Sequence, residues 1–190
     1  MPSVCVFCGS FNSVSDAFLA AARETGRLFA ESGWTVVYGG ARNGMMGALA
    51  TAALGAGGRV VGVIPQSLVE REVAHRGLSE LHIVASLQER KTLMTGLGDA
   101  FLTLPGGFGT LDELFEVLTY SMLGYHAKPC ALLNTDRYYD HLLAFVGQAA
   151  SHGFIPPRFS RSLLVAAEPR EALRLLDRSL SETQGRATHP

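Results

Sequence analysis

Residues 105–113, which read Pro-Gly-Gly-Phe-Gly-Thr-Leu-Asp-Glu, have the composition of a phosphate-binding turn. The apolar run at 100–104 that precedes them predicts a buried strand, and Leu114 and Val117 follow at helical spacing. A glycine turn between a strand and a helix directs backbone N–H groups and the positive end of the helix dipole at one point. Glycine suits such a turn because a Cβ would block the close approach of an anion. The same turn brings the carboxylate of Glu113 into the first helical turn, beside that point.

A different interpretation of this stretch involves only Thr110 and Glu113. Their spacing matches a capping box, in which the two side chains satisfy free N–H groups at the start of a helix. A cap requires no glycine, whereas the turn contains three, at positions 106, 107 and 109. The glycines therefore favour an anion site, and capping remains the alternative.

The adjacent pair Arg90–Lys91 lies in a predicted helix that begins near Leu87. Lysine is scarce in this chain, since Lys128 is the only other one. Successive residues of a helix point about 100° apart, so the two cations cannot hold one phosphate from the same direction. We expect one of them to reach the ligand and the other to pair elsewhere.

A phosphate site next to an arginine and two carboxylates, Glu113 and Glu116, suits the cleavage of an N-glycosidic bond. That reaction passes through a sugar cation, which a nearby carboxylate can stabilise, as in the O-glycosidases. Glu116 follows Glu113 by one helical turn, on the same predicted face. Binding a phosphate away from the reacting bond supplies anchoring energy.

Other reaction classes receive little support. The six histidines are scattered without an H-E-x-x-H motif, and the G-x-S-x-G elbow of serine hydrolases is missing from the sequence. Pyridoxal phosphate would need a Schiff-base lysine, for which Lys91 is nearly the only candidate. Cys5 and Cys8 have a redox spacing but lie in a predicted strand rather than at a helix start, which favours a structural role. We therefore expect no metal and no cofactor.

The length of 190 residues predicts one domain, at residues 1–180, with a polar tail at 181–190 that we expect to be disordered. A net charge of −1 gives no support for nucleic-acid or membrane partners. We expect no signal peptide and no membrane helix, because the sequence begins with a predicted strand and has no apolar run of the ~18 residues that a membrane helix needs. Three cysteines do not make a disulfide framework, so we expect a cytoplasmic protein with free thiols. The apolar fraction of 47% indicates a face covered by a partner subunit.

Apolar strands alternate with amphipathic helices almost throughout the chain. This pattern predicts an α/β fold, Rossmann-like, with a mostly parallel sheet and helices on both faces. Ligands of such sheets bind beyond the carboxyl ends of the strands. Residues 9–10, 39–40 and 105–110 all follow predicted strands, so we expect them to converge on one crevice. A second glycine-containing turn, at 39–47, follows the second predicted strand. For any one of its glycines, tight packing of a helix against a strand is as good an explanation as contact with a ligand.

The sequence resembles the LOG ("Lonely Guy") family of cytokinin riboside 5′-monophosphate phosphoribohydrolases, whose members are often labelled possible lysine decarboxylases. The family motif P-G-G-x-G-T-x-x-E is complete at 105–113, and its Arg-Lys pair is present at positions 90–91. Further similarity covers nearly the whole chain and includes residues 8–10, 38–40, 62–65, 71–72, 123–124, 128–129 and 132–134.

The resemblance implies cleavage of the N–ribosyl bond of an N6-substituted adenosine 5′-monophosphate, releasing the free base and ribose 5-phosphate. It implies no metal or redox cofactor, and a homodimer with the site near the subunit interface. Arg90 and Glu113 correspond to the catalytic pair. The remaining substrate contacts implied are a phosphate cradle of Gly106, Gly107, Gly109 and Thr110, and supporting residues Glu72, Lys91, Phe108, Asp112, Glu116 and Thr119.

Two departures from the family pattern concern the substrate more than the reaction. Ala41 stands where many members have a third glycine, and Leu87–Gln88 stand where many have a Met-His pair. The second departure lies one helical turn before Arg90 and could alter the pocket for the base. Two alternatives therefore stay open: a general phosphoribohydrolase acting on AMP, and a nucleotide-binding protein without catalysis.

Overall fold

A computed structural model describes residues 1–71, 73–156, 159 and 162–187. The described residues form one seven-stranded sheet in the order β4-β3-β2-β1-β5-β6-β7, and each neighbouring pair is parallel. The strands are β1 (Ser3–Phe7), β2 (Thr35–Tyr38), β3 (Val60–Pro65), β4 (Glu80–Val84), β5 (Ala100–Thr103), β6 (Cys130–Leu133) and β7 (Leu163–Ala166). The predicted α/β, Rossmann-like fold is confirmed.

Helices follow most of the strands and cover both faces of the sheet. They are α1 (Asp16–Glu31), α2 (Gly44–Gly55), α3 (Gln66–Val69), α4 (Leu87–Leu97), α5 (Phe108–Met122), α6 (Asp140–Ser151) and α7 (Pro169–Ala187), with a 3-10 turn at Thr135–Arg137. One core lies under α1, α2 and α7, and a second lies under α4, α5 and α6. Within β1, Val4 and Val6 join the first core while Cys5 and Phe7 join the second. Burial on both sides explains why the strands are continuous apolar runs.

The strand order places a topological switch point between β1 and β5. The chain adds β2, β3 and β4 on one side of β1 and then crosses over to place β5 on the other side. Loops that leave two such strands diverge, and the crevice between them is the usual ligand site of an open parallel sheet. The turn at 105–110 leaves β5 at this crevice, and residues 8–10 leave β1 there.

The last helix continues to Ala187, beyond residue 180, where we expected the domain to end and a polar tail to begin. Ser181 and Thr183 donate hydroxyl hydrogen bonds of 2.9 Å to helical carbonyl oxygens four residues earlier, so these polar residues continue the helix instead of ending it. The predicted tail thus begins inside α7, and residues 188–190 lie outside the described residues. Among the described residues, no helix combines the length and apolar character needed to cross a membrane.

Candidate active site

A cavity of about 360 Å³ lies at the switch point and contains the two residues predicted to be catalytic. It is formed by the ends of β1 and β2, the start of α5 and the side chain of Arg90 from α4. Its lining residues are Cys8, Ser10, Phe11, Asn12, Gly39, Ala41, Asn43, Met46, Leu68, Val73, Arg90, Gly109, Thr110 and Glu113. The predicted convergence of the turns after β1, β2 and β5 is therefore confirmed.

Helix α5 begins at Phe108, with Gly107 as its N-cap and no side-chain cap. The capping-box alternative for Thr110 and Glu113 is therefore wrong, because Thr110 already lies inside the first turn. Glu113 belongs to the second turn, not the first as predicted. The first helical hydrogen bond runs from the Leu111 N–H to the Gly107 carbonyl, so the N–H groups of residues 107–110 have no helical partner. They lie at the end of the helix where an anion is favoured.

The glycines of the turn have different structural reasons. A Cβ on Gly106 would lie 2.1 Å from the hydroxyl oxygen of Thr110, so this position must be glycine for the turn to pack. A Cβ on Gly107 or Gly109 would meet no protein atom within 4 Å. Packing within the protein therefore does not explain these two glycines. Open space next to them is what we expect if a ligand approaches the backbone closely.

Arg90 is held in the cavity by two backbone carbonyl oxygens, one in β3 and one in the residue that follows β2. The start of α4 is fixed by Ser86, whose hydroxyl accepts a hydrogen bond from the backbone N–H of Glu89 at 3.1 Å. One turn into the helix, Nε of Arg90 donates to the Val63 carbonyl at 3.0 Å, and Nη2 donates to the Gly39 carbonyl at 3.0 Å. A Cβ on Gly39 would lie 1.8 Å from that Nη2. Gly39 is thus a glycine because the guanidinium occupies the space of a side chain.

Glu113 faces Arg90 across the cavity, with Oε1 3.5 Å from Nη1. The distance is an ion-pair distance but long for a hydrogen bond, so the carboxylate retains capacity to accept other donors. Both side chains are largely buried, with 6% of Glu113 and 10% of Arg90 exposed. Burial raises the pKa of the Glu113 carboxyl from 4.5 to about 7, and the positive charge of Arg90 opposes this rise. The carboxyl therefore titrates near neutral pH.

Lys91 points away from the cavity and links α4 to α5. Its Nζ lies 2.6 Å from a carboxylate oxygen of Glu116 and 3.0 Å from one of Asp112. Arg90 and Lys91 thus take different partners, as the helical geometry predicted. Glu116 does not share the partner of Glu113, although the two lie one turn apart on α5.

Neither lysine fits the Schiff-base role that pyridoxal phosphate requires. Hydrogen bonding to Glu116 raises the pKa of the Lys91 ammonium, which keeps it protonated and non-nucleophilic. Lys128 donates to the Thr95 carbonyl oxygen at 2.9 Å and lies 5.7 Å from the centroid of the Phe101 ring. Each lysine is thus engaged in contacts that do not suit a Schiff base.

Two further predicted substrate contacts, Phe108 and Thr119, lie in different places on α5. Phe108 is 93% exposed at the first residue of α5. Thr119 lines an apolar groove of about 150 Å³ between α5 and α6, away from the cavity. Glu72 lies outside the described residues. The substrate roles of all three stay predictions.

Several cavity residues were not predicted from the sequence. Asn12 accepts a hydrogen bond from the Gly44 backbone N–H at 2.9 Å, and Asn43 is the N-cap residue of α2. Asn12 follows β1 and Asn43 follows β2. Their position after the carboxyl end of a strand is the one sequence signal that could have identified them. Cys8 also lines the cavity, and burial raises the pKa of its thiol, so it stays protonated.

A second cavity of about 450 Å³ is lined by Val69 and Ala74, which neighbour Leu68 and Val73 of the first cavity in the sequence. Its lining includes Arg42, His75 and Arg76. It is larger than the cavity at the switch point, and none of the predicted site residues that the structure describes is among its lining residues.

The chain is similar to proteins of known activity. The family model described as "Possible lysine decarboxylase" matches residues 46–176. A cytokinin riboside 5′-monophosphate phosphoribohydrolase of Rhodococcoides fascians is 50% identical over 172 residues, which are 90% of this chain and 87% of that protein. The cytokinin riboside 5′-monophosphate phosphoribohydrolase LOG of Oryza sativa subsp. japonica is 42% identical over 179 residues, covering 94% and 74%.

Solved structures share the fold at lower identity. The molybdenum cofactor binding protein of Rippkaea orientalis has a TM-score of 0.73 and 21% identity, over 93% of this chain and 95% of that one. The Moco carrier protein of Chlamydomonas reinhardtii has a TM-score of 0.72 and 20% identity, over 95% and 98%. These likenesses support the architecture alone. The family match and the relatives at 42% and 50% identity establish that this chain belongs to the LOG family, whose model is described as possible lysine decarboxylases.

Proposed function

We propose that this protein hydrolyses the N-glycosidic bond of an N6-substituted adenosine 5′-monophosphate, releasing the free base and ribose 5-phosphate. The observation that carries the proposal is the buried Glu113 carboxylate, which faces Arg90 beside the start of α5. A protein that only bound nucleotides would use the N–H groups but not this pair. The names of the relatives at 42% and 50% identity support the same reaction.

The start of α5 supports the position of the phosphate. Gly109 and Thr110 belong to its first turn and line the same cavity as Glu113. The free N–H groups there and the helix dipole favour a dianionic phosphate. A nucleotide anchored at this end by its 5′-phosphate would extend its ribose toward Glu113, so anchoring and chemistry use neighbouring parts of one helix.

In the proposed reaction, the bond between the anomeric carbon and the base nitrogen breaks, and its electron pair leaves with the base. Water adds its hydroxyl to the carbon, and the second water proton goes to the base. Glu113 in its carboxylate form stabilises the sugar cation or activates this water. Arg90 favours that ionised form, because its positive charge lowers the pKa of Glu113 against the effect of burial.

The other predicted contacts have supporting roles in this proposal. Lys91 and Glu116 fix α4 against α5 through their ion pair and so hold Arg90 opposite Glu113. Phe108, exposed at the start of α5, is available to a base or to a partner subunit. The remaining supporting contacts that we propose are Gly106, Gly107, Asp112, Glu72 and Thr119.

We also propose a homodimer formed through α5. Three apolar residues, Phe108, Phe115 and Met122, are spaced seven residues apart on one side of this helix. Their exposed fractions are 93%, 38% and 37%, respectively. Phe115 and Met122 also line the apolar groove against α6. Exposed apolar surface of this extent is typical of an interface. Light scattering on the wild type and on Phe115→Glu tests the proposal: a dimer that the substitution dissociates is expected, and a wild-type monomer would refute it.

A cytoplasmic location is proposed together with a small-molecule nucleotide as the partner. Cys5, Cys8 and Cys130 are free thiols, which agrees with a reducing compartment. The net charge of −1 argues against general attraction to nucleic acid or membranes. Cell fractionation tests the location.

The decisive experiment is a product assay on the purified protein. It is incubated with N6-isopentenyl-AMP, with AMP and with the two ribosides that lack phosphate, and free base is measured by chromatography. We expect base from the prenylated monophosphate and none from the ribosides. Base in equal amounts from AMP would identify a general phosphoribohydrolase instead.

Two variants make the product assay specific to the site. Glu113→Gln should abolish base release, whereas Glu31→Gln, at the far end of α1 and paired with Arg27, should leave it unchanged. If nucleotide binds but no base appears even with the wild type, the protein is a binding protein and the proposed reaction is wrong.

A further inference from the structure

We infer that Tyr138 and Tyr139 are positioning residues, which hold the glycine turn after β5 so that its N–H groups face the phosphate. The inference rests on the proposed function, because it assigns these residues to the phosphate cradle of that site. The two tyrosines lie between the 3-10 turn and α6, and the hydroxyl group of each donates to a carbonyl group of the glycine turn.

Three consecutive carbonyl groups of the turn are each occupied by a donor from another part of the chain. The hydroxyl of Tyr139 donates to the Leu104 carbonyl at 2.8 Å, and that of Tyr138 donates to the Gly106 carbonyl at 2.8 Å. Between them, the backbone N–H of Gly9 donates to the Pro105 carbonyl at 3.1 Å. A carbonyl oxygen that turned into the cavity would repel an anion, and these hydrogen bonds oppose such a turn.

The planarity of the peptide bond makes the Tyr138 contact the important one. In a trans peptide, the C=O of one residue and the N–H of the next point in opposite directions. Fixing the Gly106 carbonyl on Tyr138 therefore directs the Gly107 N–H to the opposite side. Gly107 is the N-cap of α5, so its N–H stands next to the free N–H groups of the first helical turn.

Tyr139 holds the other end of the turn and is itself rigid. It is buried, its backbone N–H donates to the side-chain oxygen of Asn134 at 2.7 Å, and its ring meets that of Tyr138 edge-on at 4.8 Å between centroids. The preceding turn contains Asp136 and Arg137 with φ of 50° and 60°. Such values are disfavoured for residues with a Cβ, so this turn is a strained one that delivers both phenols to the glycine turn.

Burial alone does not account for Tyr138. Its side chain is 46% exposed, so it gains less from the hydrophobic effect than Tyr139 does. Its ring also packs edge-on against Phe18 of α1, with 5.5 Å between centroids, and that contact would persist in phenylalanine. The hydroxyl is thus the group that distinguishes tyrosine from phenylalanine here, and its partner is the Gly106 carbonyl.

The test compares the wild type with Tyr138→Phe. Dissociation constants are measured by calorimetry for inorganic phosphate, for ribose 5-phosphate and for adenosine, which has no phosphate. Loss of one hydrogen bond that orders the turn is expected to weaken binding of the two phosphate ligands by roughly 5-fold and to leave adenosine unchanged. In the product assay, KM for the monophosphate should rise by a similar factor with kcat less affected.

Ser151→Ala is the matched control, because it removes another hydroxyl–carbonyl hydrogen bond, of 2.8 Å to Gln148, at the opposite end of α6. It should leave every constant unchanged. Tyr139→Phe is a second variant and should weaken phosphate binding in the same direction, with a lower melting temperature since the Leu104 carbonyl loses its buried donor.

The inference is overturned if Tyr138→Phe binds phosphate as the wild type does, or if adenosine binding falls by the same factor. It is also overturned if the wild type does not bind phosphate at all. If the wild type binds phosphate with the expected dependence on Tyr138 but releases no base, the positioning role stands and the proposed reaction fails.

Discussion

Replacing Glu113 with glutamine should stabilise the folded protein at alkaline pH while it removes the activity. Glutamine has nearly the same shape as a protonated glutamate and never ionises. At a pH where the carboxyl of Glu113 is ionised, the wild type is therefore less stable than the variant. The difference in the free energy of unfolding is the cost of ionising this carboxyl in its buried position.

The magnitude follows from the pKa of this carboxyl. Burial raises the pKa from 4.5 to about 7 in the folded protein, so the folded state binds the proton more tightly than the unfolded state does. Stability consequently falls as the pH rises from 4.5 to about 7, and is then constant with respect to this group. At about 1.4 kcal/mol per pKa unit, the full effect is about 3 kcal/mol.

The assay is urea denaturation of the wild type and of Glu113→Gln, followed by circular dichroism at about pH 4 and about pH 8. We expect equal stability at the lower pH, and a variant that is more stable than the wild type by up to about 3 kcal/mol at the higher pH. All proteins are compared at one concentration, since dissociation of a dimer would add to the unfolding free energy.

Glu31→Gln is the control, because Glu31 is an exposed carboxylate whose ion pair with Arg27 is of the kind that contributes about 0.5 kcal/mol or less. Its stability should follow that of the wild type at both pH values. A Glu113→Gln protein that is less stable than the wild type at the higher pH would refute the reasoning. That result would mean that attraction to Arg90 outweighs the burial of the carboxylate.

Three further predictions concern the same site. The kcat/KM for base release should rise with pH through about 7, because the carboxylate form of Glu113 acts in the reaction; a profile that falls over this range would assign it as an acid instead. Gly39→Ala should lower kcat/KM on the order of 100-fold with an unchanged circular dichroism spectrum, because its Cβ would displace the Arg90 guanidinium; wild-type kcat/KM would show that this position of the arginine is not needed. Lys91→Met should lower the free energy of unfolding by roughly 1–3 kcal/mol in urea denaturation, because Glu116 then remains a largely buried carboxylate without its cation; unchanged stability would contradict this.

Most of the fold could be predicted from the sequence because each strand is an apolar run between turn residues. The predicted alternation of strands and helices is present, and the seven-stranded sheet is parallel throughout the described residues. Two features were missed for local reasons. Helix α3 has only four residues, too few for a periodic pattern, and the hydroxyl groups of Ser181 and Thr183 extend α7 instead of ending it.

Less of the candidate site could be predicted, because its partners come from distant parts of the chain. Helical geometry predicted that Arg90 and Lys91 point in different directions. It could not predict that Lys91 would find Glu116, since that pairing depends on how α4 packs against α5. Asn12 and Tyr138 were missed for the same reason: each acts on a backbone group far away in the sequence, at Gly44 and Gly106.

The start of α5 shows how one residue decides between two interpretations. Thr110 and Glu113 have the spacing of a capping box, but the helix begins two residues before Thr110. Gly107 therefore caps the helix without a side chain, and the free N–H groups remain available. The sequence pattern allowed both outcomes, because helix ends are set by contacts such as that of Gly106 with Thr110.

The pairing of β1 with β5 has a consequence for how the chain folds. Val4 pairs with Ala100, although β2, β3 and β4 lie between them in the sequence. A nascent chain can build the half-sheet from β1 to β4 early, but β1 is then an open edge until β5 emerges from the ribosome. Such non-local parallel pairing is slow, and an open apolar edge invites association with other chains. We expect fragments that end before β5 to aggregate, because this edge stays open, and to lack all activity, because Glu113 lies in α5, after β5.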